Sequence, residues 1–284
     1  MNLSWPSREQ GNQGMSRSTG GSSPIWLLLR GMSREAAHWG AFPQQLCDEI
    51  RQRDPDARVL MMDLPGNGIR FREASSASVR KTVERLRADL AREGITQPVH
   101  LLGMSLGAMV ATDWAFLHPE EVCATVLINP SMRPFMDFHR PARPLRFLTL
   151  ALLSLTRLGV RSREAKVLNM TTRLLPSREA VLNDWVTVQR QHPVALRNVA
   201  RQWLAALRYK AKLARPVPPV LLLCSQSDEL VDWRCSRDMS RAWGAPLRLH
   251  TQAGHDLPLD DGAWVARAVG EWLSHEPRSF ELQP

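Results

Sequence analysis

Gly103-Met104-Ser105-Leu106-Gly107 is the stretch that decides the fold of this 284-residue chain. The apolar run Pro98-Val99-His100-Leu101-Leu102 precedes it and indicates a buried strand. The residues from Ala108 to Ala115 follow it with helical composition, and no helix breaker occurs before Pro119. Glycines on both sides of the serine permit a tight turn, which lifts the serine hydroxyl out of the sheet. The pattern therefore predicts a reactive serine between a strand and a helix.

Two later loops carry the groups that would activate such a serine. The strand-like run Val220-Leu221-Leu222-Leu223-Cys224 is followed by Asp228, and the extended run Leu247–His250 is followed by Gly254 and His255. A serine hydroxyl needs a base to take its proton, and histidine is suited because its pKa lies near neutrality. A carboxylate can hold the imidazole in the correct tautomer.

The order serine, aspartate, histidine, each after a strand, resembles the α/β-hydrolase fold family. The resemblance covers approximately residues 24 to 275. It implies that Ser105 is the nucleophile, that His255 is the base and that Asp228 orients the histidine. It also implies that two backbone N–H groups, those of Leu106 and Met32, bind the oxyanion.

The loop of Met32 departs from the family pattern. It follows the strand-like run Ile25–Leu29, and the family usually has His-Gly where this chain has Arg30 and Gly31. Because the donor is backbone, the replacement need not abolish function. An arginine side chain, however, cannot accept the hydrogen bond that a histidine could accept.

Neighbouring residues offer alternatives to Asp228 and His255. Asp228 could instead cap a helix that begins near Trp233, and Glu229 or Asp232 could be the acid. Substitution of Asp232 or Asp256 is expected to be mild. His100 lies within a strand and is expected to be a packed core residue. The remaining histidines lack a Gly-His turn after a strand: His38, His118, His139, His192, His250 and His275.

Two further turns follow strand-like runs. Met62-Asp63-Leu64-Pro65-Gly66-Asn67-Gly68 resembles the D-x-P-G-x-G turn of many family members, and we interpret it as structural because Pro and Gly fix a tight turn. Asn129-Pro130-Ser131 follows the run from Ala124 to Ile128 and contains no carboxylate. That turn cannot supply the family's alternative acid, which favours Asp228.

Alternating strands and helices predict a mainly parallel sheet covered on both faces. The alternation breaks over residues 133–215, whose helical composition predicts an inserted all-helical lid. We expect a disordered tail over residues 1–23, a core formed by 24–132 and 216–275, and the lid over 133–215. Helices are predicted in the core over 36–53, 75–92, 106–117, 233–243 and 262–274, and in the lid over 145–158, 177–191 and 194–212.

Basic residues are concentrated in residues 133–215, which we call the basic insertion. It contains 17 Lys and Arg against 4 Asp and Glu, so the net charge of +9 is a property of this segment. The charge favours an anionic partner: a carboxylate or phosphate substrate, an acyl-CoA, or peripheral contact with an anionic membrane. Nucleic acid is not expected, because interleaved aromatics are lacking. The apolar stretch from Phe147 to Leu155 could line an acyl pocket, contact lipid, which would suit a lipid-like substrate, or pack inside the lid.

The four cysteines, Cys47, Cys123, Cys224 and Cys235, show neither metal-ligand spacing nor a disulfide framework. The lack of a disulfide framework favours a reducing compartment. No apolar run approaches the length of about 20 residues that a membrane helix needs. A cytoplasmic location is therefore expected. Residues 1–23 lack the apolar core of a signal peptide.

We expect a serine-dependent hydrolase that cleaves a small acyl substrate, a carboxylic ester or thioester, through an acyl-enzyme, with no metal and no cofactor. The same three residues support C–C bond hydrolysis and lyase chemistry in the family, and these remain alternatives. A non-catalytic ligand-binding protein of the same fold is the alternative outside catalysis. Dehalogenases and epoxide hydrolases are disfavoured, because they use an aspartate where this chain has Ser105.

Overall fold

The computed structural model of the chain describes residues 23–136 and 159–275. Its strands are β1 (Ile25–Leu29), β2 (Arg58–Met62), β3 (Val99–Met104), β4 (Val122–Ile128), β5 (Val220–Ser225) and β6 (Leu247–His250). They form one sheet in the order β2-β1-β3-β4-β5-β6, and every neighbouring pair is parallel. The predicted mainly parallel sheet is confirmed.

The helices of the described residues alternate with the strands. They are α1 (Phe42–Arg51), α2 (Val79–Arg92), α3 (Leu106–Leu117), α4 (Val160–Thr171), α5 (Arg178–Gln191), α6 (Leu196–Arg208), α7 (Trp233–Trp243) and α8 (Leu257–His275). Short 3-10 turns occupy Ala36–Trp39, Gly68–Arg70 and Pro119–Glu121. Asp261 interrupts α8 with non-helical dihedral angles, φ −151° and ψ 70°.

Helices cover both faces of the sheet, which explains why its central strands are continuous apolar runs. On one face, Leu27 and Leu101 belong to the same buried cluster as side chains of α2, α3 and α7. On the other face, Leu28 and Leu102 belong to a cluster with side chains of α1 and α8. Successive residues of a strand point to opposite faces, so each central strand contributes to both clusters.

Between β4 and β5 the chain leaves the alternating pattern, and α4, α5 and α6 lie within the basic insertion. Leu168, Leu182, Trp185 and Val186 form a small buried cluster between α4 and α5. The ends of the insertion meet, since the N–H of Ala211 donates to the carbonyl of Arg133 over 2.8 Å. Residues 1–22 of the tail predicted over 1–23, the predicted helix over 145–158 and the apolar stretch from Phe147 to Leu155 lie outside the described residues.

Several predicted helix boundaries are corrected. The helix predicted over 75–92 begins at Val79, the one predicted over 177–191 begins at Arg178, and the one predicted over 194–212 spans Leu196–Arg208. The helix predicted over 36–53 is a 3-10 turn followed by α1, because Gly40 adopts a positive φ of 56° and ends the first turn. The helix predicted over 262–274 is confirmed as the longer part of α8, which follows the interruption at Asp261; a short first part of α8 begins at Leu257. The predictions for α3 and α7 are confirmed at both ends. Among the described helices, none combines the length and apolarity needed to cross a membrane.

Candidate active site

Ser105 lies at the sharp turn that joins β3 to α3. It has φ 54° and ψ −116°, a backbone conformation that residues other than glycine rarely adopt. The turn is possible because both neighbouring glycines lack a side chain. A Cβ atom on Gly103 would lie 2.4 Å from the carbonyl oxygen of Gly107, and one on Gly107 would lie 2.1 Å from that of Leu29. The strained serine is held in place, since its N–H donates to the carbonyl of Ile128 over 3.1 Å.

His255 and Asp228 form a buried hydrogen-bonded pair. Nδ1 of His255 lies 2.7 Å from Oδ2 of Asp228. The other carboxylate oxygen of Asp228 accepts the N–H groups of Leu230 and Val231 over 2.7 and 3.0 Å. The backbone contacts fix the orientation of the carboxylate, so that Oδ2 faces the imidazole. The sequence-predicted acid and base are therefore brought together.

The two alternative acids have different contacts. Asp232 is the N-cap of α7, and its side chain accepts the N–H of Arg234 over 3.0 Å. Glu229 forms an ion pair with Arg173. The helix-capping role that was open for Asp228 therefore belongs to Asp232, and Asp228 is the carboxylate hydrogen-bonded to His255.

Two opposing influences act on the pKa of His255. Burial favours the neutral imidazole and lowers the pKa, while the charge and hydrogen bond of Asp228 raise it. The attraction to Asp228 prevails, and the pKa of His255 lies above its ordinary value. Such a histidine is a stronger base than a free imidazole, which suits a group that must accept a proton from a serine.

Asn129 holds the backbone of His255 by a hydrogen bond, a role that sequence reasoning missed. Its side-chain N–H₂ donates to the carbonyl of His255 over 2.7 Å, and its side-chain oxygen accepts the N–H of Ser225 over 2.8 Å. It has a positive φ of 45°, which asparagine tolerates better than most residues. The turn that offers no carboxylate therefore offers an amide that holds the histidine loop.

The loop after β1 lies directly against Ser105. A Cβ atom on Gly31 would lie 3.2 Å from Cβ of Ser105, so a larger residue would crowd the serine. Met32 is half-buried and lines the same pocket as Ser105. Leu106 is the first residue of α3, where a backbone N–H has no partner within the helix. Both sequence-predicted oxyanion donors therefore belong to segments that adjoin Ser105.

Arg30, the departure from the family pattern, is a buried partner of Asp256. Its guanidinium donates to both carboxylate oxygens of Asp256, over 2.9 and 2.6 Å, and lies 4.6 Å from the ring centre of Trp39. Asp256 directly follows His255, so the pair joins the loop after β1 to the histidine loop. Sequence reasoning missed this role of Asp256. Because removal of its charge would leave a buried guanidinium unpaired, substitution is no longer expected to be mild.

A buried polar network attaches α6 to the loop after β1. The side-chain oxygen of Gln202 accepts the N–H of Ser33 over 2.8 Å, and its N–H₂ donates to Asn67 and Ser75 over 2.7 and 3.0 Å. Asn198, one turn earlier, accepts the N–H of Ser75 over 3.0 Å. Ser33 has a positive φ of 55°, so Gln202 holds a strained position of the predicted oxyanion loop.

The turn at Asp63 has structural contacts, in line with its interpretation from sequence. One oxygen of Asp63 accepts the N–H of Ala36 over 2.7 Å, and the other accepts that of Ile69 over 3.1 Å. Gly68 has a φ of 53°, and a Cβ atom there would collide with the Asp63 carboxylate. His100 is a core residue as predicted: it stacks on Trp26 at 4.7 Å, and burial lowers its pKa to about 4.

A pocket of about 160 Å³ opens over Ser105 and His255. Its wall is mostly apolar and is formed by the loop after β1, the histidine loop and the three described helices of the insertion, α4, α5 and α6. Its apolar lining residues are Met32, Met104, Val167, Trp185, Val194, Leu196, Val199, Trp203 and Leu230. An apolar pocket with a few polar groups at one end is the usual form of a small-molecule site.

One group of described residues has the spacing of metal ligands, and it lies away from this pocket. His118, Glu120 and Glu121 bring potential ligand atoms within 4.8 Å of one another. Glu121 is already paired with Arg87, and His118 with Glu84. Two of the three residues are therefore already engaged by other side chains, Glu121 in an ion pair and His118 in a hydrogen bond.

Known hydrolases resemble this chain in sequence. The chain is 27% identical over 271 residues to RutD of Pseudomonas syringae pv. syringae, which is named as a carbamate hydrolase; the match covers 90% of this chain and 95% of RutD. It is 28% identical over 252 residues to the pimeloyl-[acyl-carrier protein] methyl ester esterase of Salmonella newport, covering 80% and 89% of the two chains.

Solved structures show the same fold. A bacterial membrane phospholipase A superposes with a TM-score of 0.72 at 23% identity, over 90% of this chain and 80% of that one. An esterase from Thermogutta terrifontis superposes with a TM-score of 0.69 at 21% identity, over 89% and 90%. A model of the alpha/beta hydrolase family matches residues 26–268. The chain is a hydrolase and belongs to the α/β-hydrolase family.

Proposed function

We propose that the chain hydrolyses carboxylic esters by way of an acyl-enzyme on Ser105. The observation that carries the proposal is the 2.7 Å bond between His255 and Asp228, beside a serine that projects from a strained turn into an apolar pocket. This set of groups matches the chemistry of acyl transfer, which needs a nucleophile, a base and an orienting acid.

The first half of the reaction forms the acyl-enzyme. Because Nδ1 of His255 is bonded to Asp228, Nε2 is the ring nitrogen left to accept the Ser105 proton. The Ser105 oxygen bonds to the ester carbonyl carbon, and the carbonyl oxygen becomes an oxyanion that the N–H groups of Leu106 and Met32 stabilise. When the C–O bond of the ester breaks, His255 returns the proton to the departing alcohol.

The second half repeats these steps with water. His255 takes a proton from water, whose oxygen attacks the acyl carbon. The bond to Ser105 then breaks, and the serine oxygen recovers its proton from His255. The products are a carboxylic acid and a regenerated enzyme, and no cofactor or metal enters the balance.

A series of p-nitrophenyl esters of graded chain length, measured beside acyl-CoA thioesters, tests this proposal. We expect release of p-nitrophenol that is lost in Ser105→Ala and His255→Ala, while circular dichroism stays unchanged. Turnover of thioesters but not of esters would contradict the proposed substrate class, carboxylic esters, and would leave the acyl-enzyme mechanism in place. Ester turnover that persists in Ser105→Ala would contradict the proposal.

Carbamates are the second candidate substrate, because RutD, which matches 90% of this chain, is named for their hydrolysis. Ser105 would attack the carbamate carbonyl as it would attack an ester. Competition of a carbamate with the p-nitrophenyl ester, followed by detection of released ammonia, distinguishes the two substrates.

A further inference from the structure

The charges on the pocket wall do not cancel. Among the described residues, Arg30 and Asp256 form a two-point ion pair, and Arg34 lies 2.6 Å from Glu164. Arg163 is the remaining charged residue of the wall when His255 is neutral. The described part of the wall therefore carries one surplus positive charge.

Glu164 does not neutralise Arg163 as well as it neutralises Arg34. One oxygen of Glu164 accepts a hydrogen bond from Arg34 at 2.6 Å, whereas the other lies 3.6 Å from Nε of Arg163, too far for a hydrogen bond. Arg34 is further held against the ring of Trp185 at 4.3 Å. The Arg163 side chain keeps 25% of its surface exposed, so its donors remain accessible.

The position of Arg163 follows from the spacing of α4. Arg163, Val167 and Thr171 all line the pocket, and residues four apart share one face of a helix. The carbonyl of Thr171 accepts the N–H of Asp256 over 2.7 Å, so this end of the face adjoins the histidine loop. Arg163 lies eight residues earlier, about 12 Å along the helix axis. The surplus charge is therefore separated from the reacting groups by an apolar stretch.

We propose that this pocket takes an ester whose acyl chain ends in a carboxylate, and that Arg163 binds this carboxylate. The inference rests on the proposed function, because it identifies which part of the ester binds at the end of the pocket that is distant from Ser105. A guanidinium and a carboxylate form charge-assisted hydrogen bonds, and the mostly apolar wall strengthens them. A carboxylate carries one negative charge and balances the wall, whereas a phosphate monoester carries nearly two.

Matched substrates test the proposal. For each length of dicarboxylic acid, the p-nitrophenyl half-ester is compared with the p-nitrophenyl ester of the monocarboxylic acid with the same number of carbons. The measured quantity is the ratio of kcat/KM for the half-ester to kcat/KM for its neutral partner. We expect this ratio to exceed one and to pass through a maximum as the chain lengthens, because Arg163 lies about 12 Å along α4 from the end that adjoins the histidine loop.

Two variants of the same helix separate recognition from general charge. Arg163→Gln should lower the ratio about tenfold or more, since charged hydrogen bonds contribute at that level, and Arg163→Glu should favour the neutral ester. Arg161→Gln is the matched control, because Arg161 is paired with Glu179 and Asn183 on the exposed side. An equal ratio in the wild type, Arg163→Gln and Arg161→Gln would overturn the proposal.

A binding measurement keeps this proposal separate from the proposed function. The monomethyl ester of a dicarboxylic acid, added to Ser105→Ala, should quench tryptophan fluorescence, because Trp185 and Trp203 line the pocket. Arg163→Gln in the same background should weaken this binding about tenfold. Binding without turnover in the wild type would contradict the proposed function alone. Turnover of neutral esters through Ser105, without charge discrimination, would contradict this inference alone.

Discussion

The guanidinium of Arg30 binds both oxygens of the Asp256 carboxylate, and both side chains are buried. Arg30 precedes the loop that adjoins Ser105, while Asp256 follows His255 in the chain. The pair therefore links the predicted oxyanion loop to the histidine loop. In this chain an ion pair occupies the place where the family usually has a histidine.

Asp256→Asn is expected to lower the free energy of unfolding by about 3–5 kcal/mol, because it leaves the buried Arg30 charge unpaired. Urea denaturation measures this loss. Glu179→Gln is the matched control, since it breaks the exposed pair with Arg161 and should cost less than about 1 kcal/mol. Equal costs for the two variants would mean that the buried pair does not stabilise the fold.

Asp228→Asn is expected to lower kcat/KM by roughly 10³- to 10⁴-fold and to change its pH dependence. Neutral His255 is the active form, so activity rises with pH through the pKa of His255. In the wild type Asp228 holds this pKa above the ordinary value of 6.5. Without the carboxylate, burial is the largest remaining influence on the pKa of His255 and lowers it, so the rise in residual activity should move to lower pH. A pH profile of kcat/KM measures both effects; an unchanged midpoint would contradict the role of Asp228.

Asp232→Ala tests the alternative acid. Asp232 caps α7, so its loss should cost about 1 kcal/mol of stability and leave kcat/KM within a factor of about two. Thermal denaturation and ester turnover measure the two quantities. A loss of activity comparable to that of Asp228→Asn would transfer the acid role to Asp232.

Gln202→Leu is expected to lower kcat about tenfold, because the strained Ser33 loses the acceptor of its N–H and the predicted oxyanion loop loses its support. Asn198→Ala is the matched control. It removes a buried side chain of the same network, one turn away on α6, which contacts Ser75 and not Ser33. Stopped-flow turnover and urea denaturation should show lost stability in both variants and lost kcat in Gln202→Leu. A similar fall of kcat in both would indicate a purely structural role.

The sequence was sufficient to predict the elements that contain periodic apolar residues and clear turn signals. β1, β6, α3 and α7 match their predicted bounds, because a glycine, a proline or a capping residue lies close to at least one end of each element. The pairing of Asp228 with His255 followed from their positions after parallel strands, since the carboxyl ends of such strands lie at one edge of the sheet.

The missed features depend on residues that are distant in sequence. Asp256 contacts Arg30 across 226 positions, and Gln202 contacts Ser33 across 169. Neither pair has a local pattern, and an arginine or glutamine in a helical or loop segment is usually solvated. One signal was present for Arg30: an arginine beside apolar strand residues must find a buried counter-charge.

Covalent labelling of Ser105 tests the central claim most directly. The protein is treated with a fluorophosphonate probe, and the modified residue is identified by mass spectrometry of the digested chain. We predict one adduct on Ser105, abolished in Ser105→Ala and slowed by orders of magnitude in His255→Ala, because the base activates the serine. An adduct on another serine, or labelling at full rate without His255, would contradict the assignment of Ser105 as a nucleophile activated by His255 and Asp228.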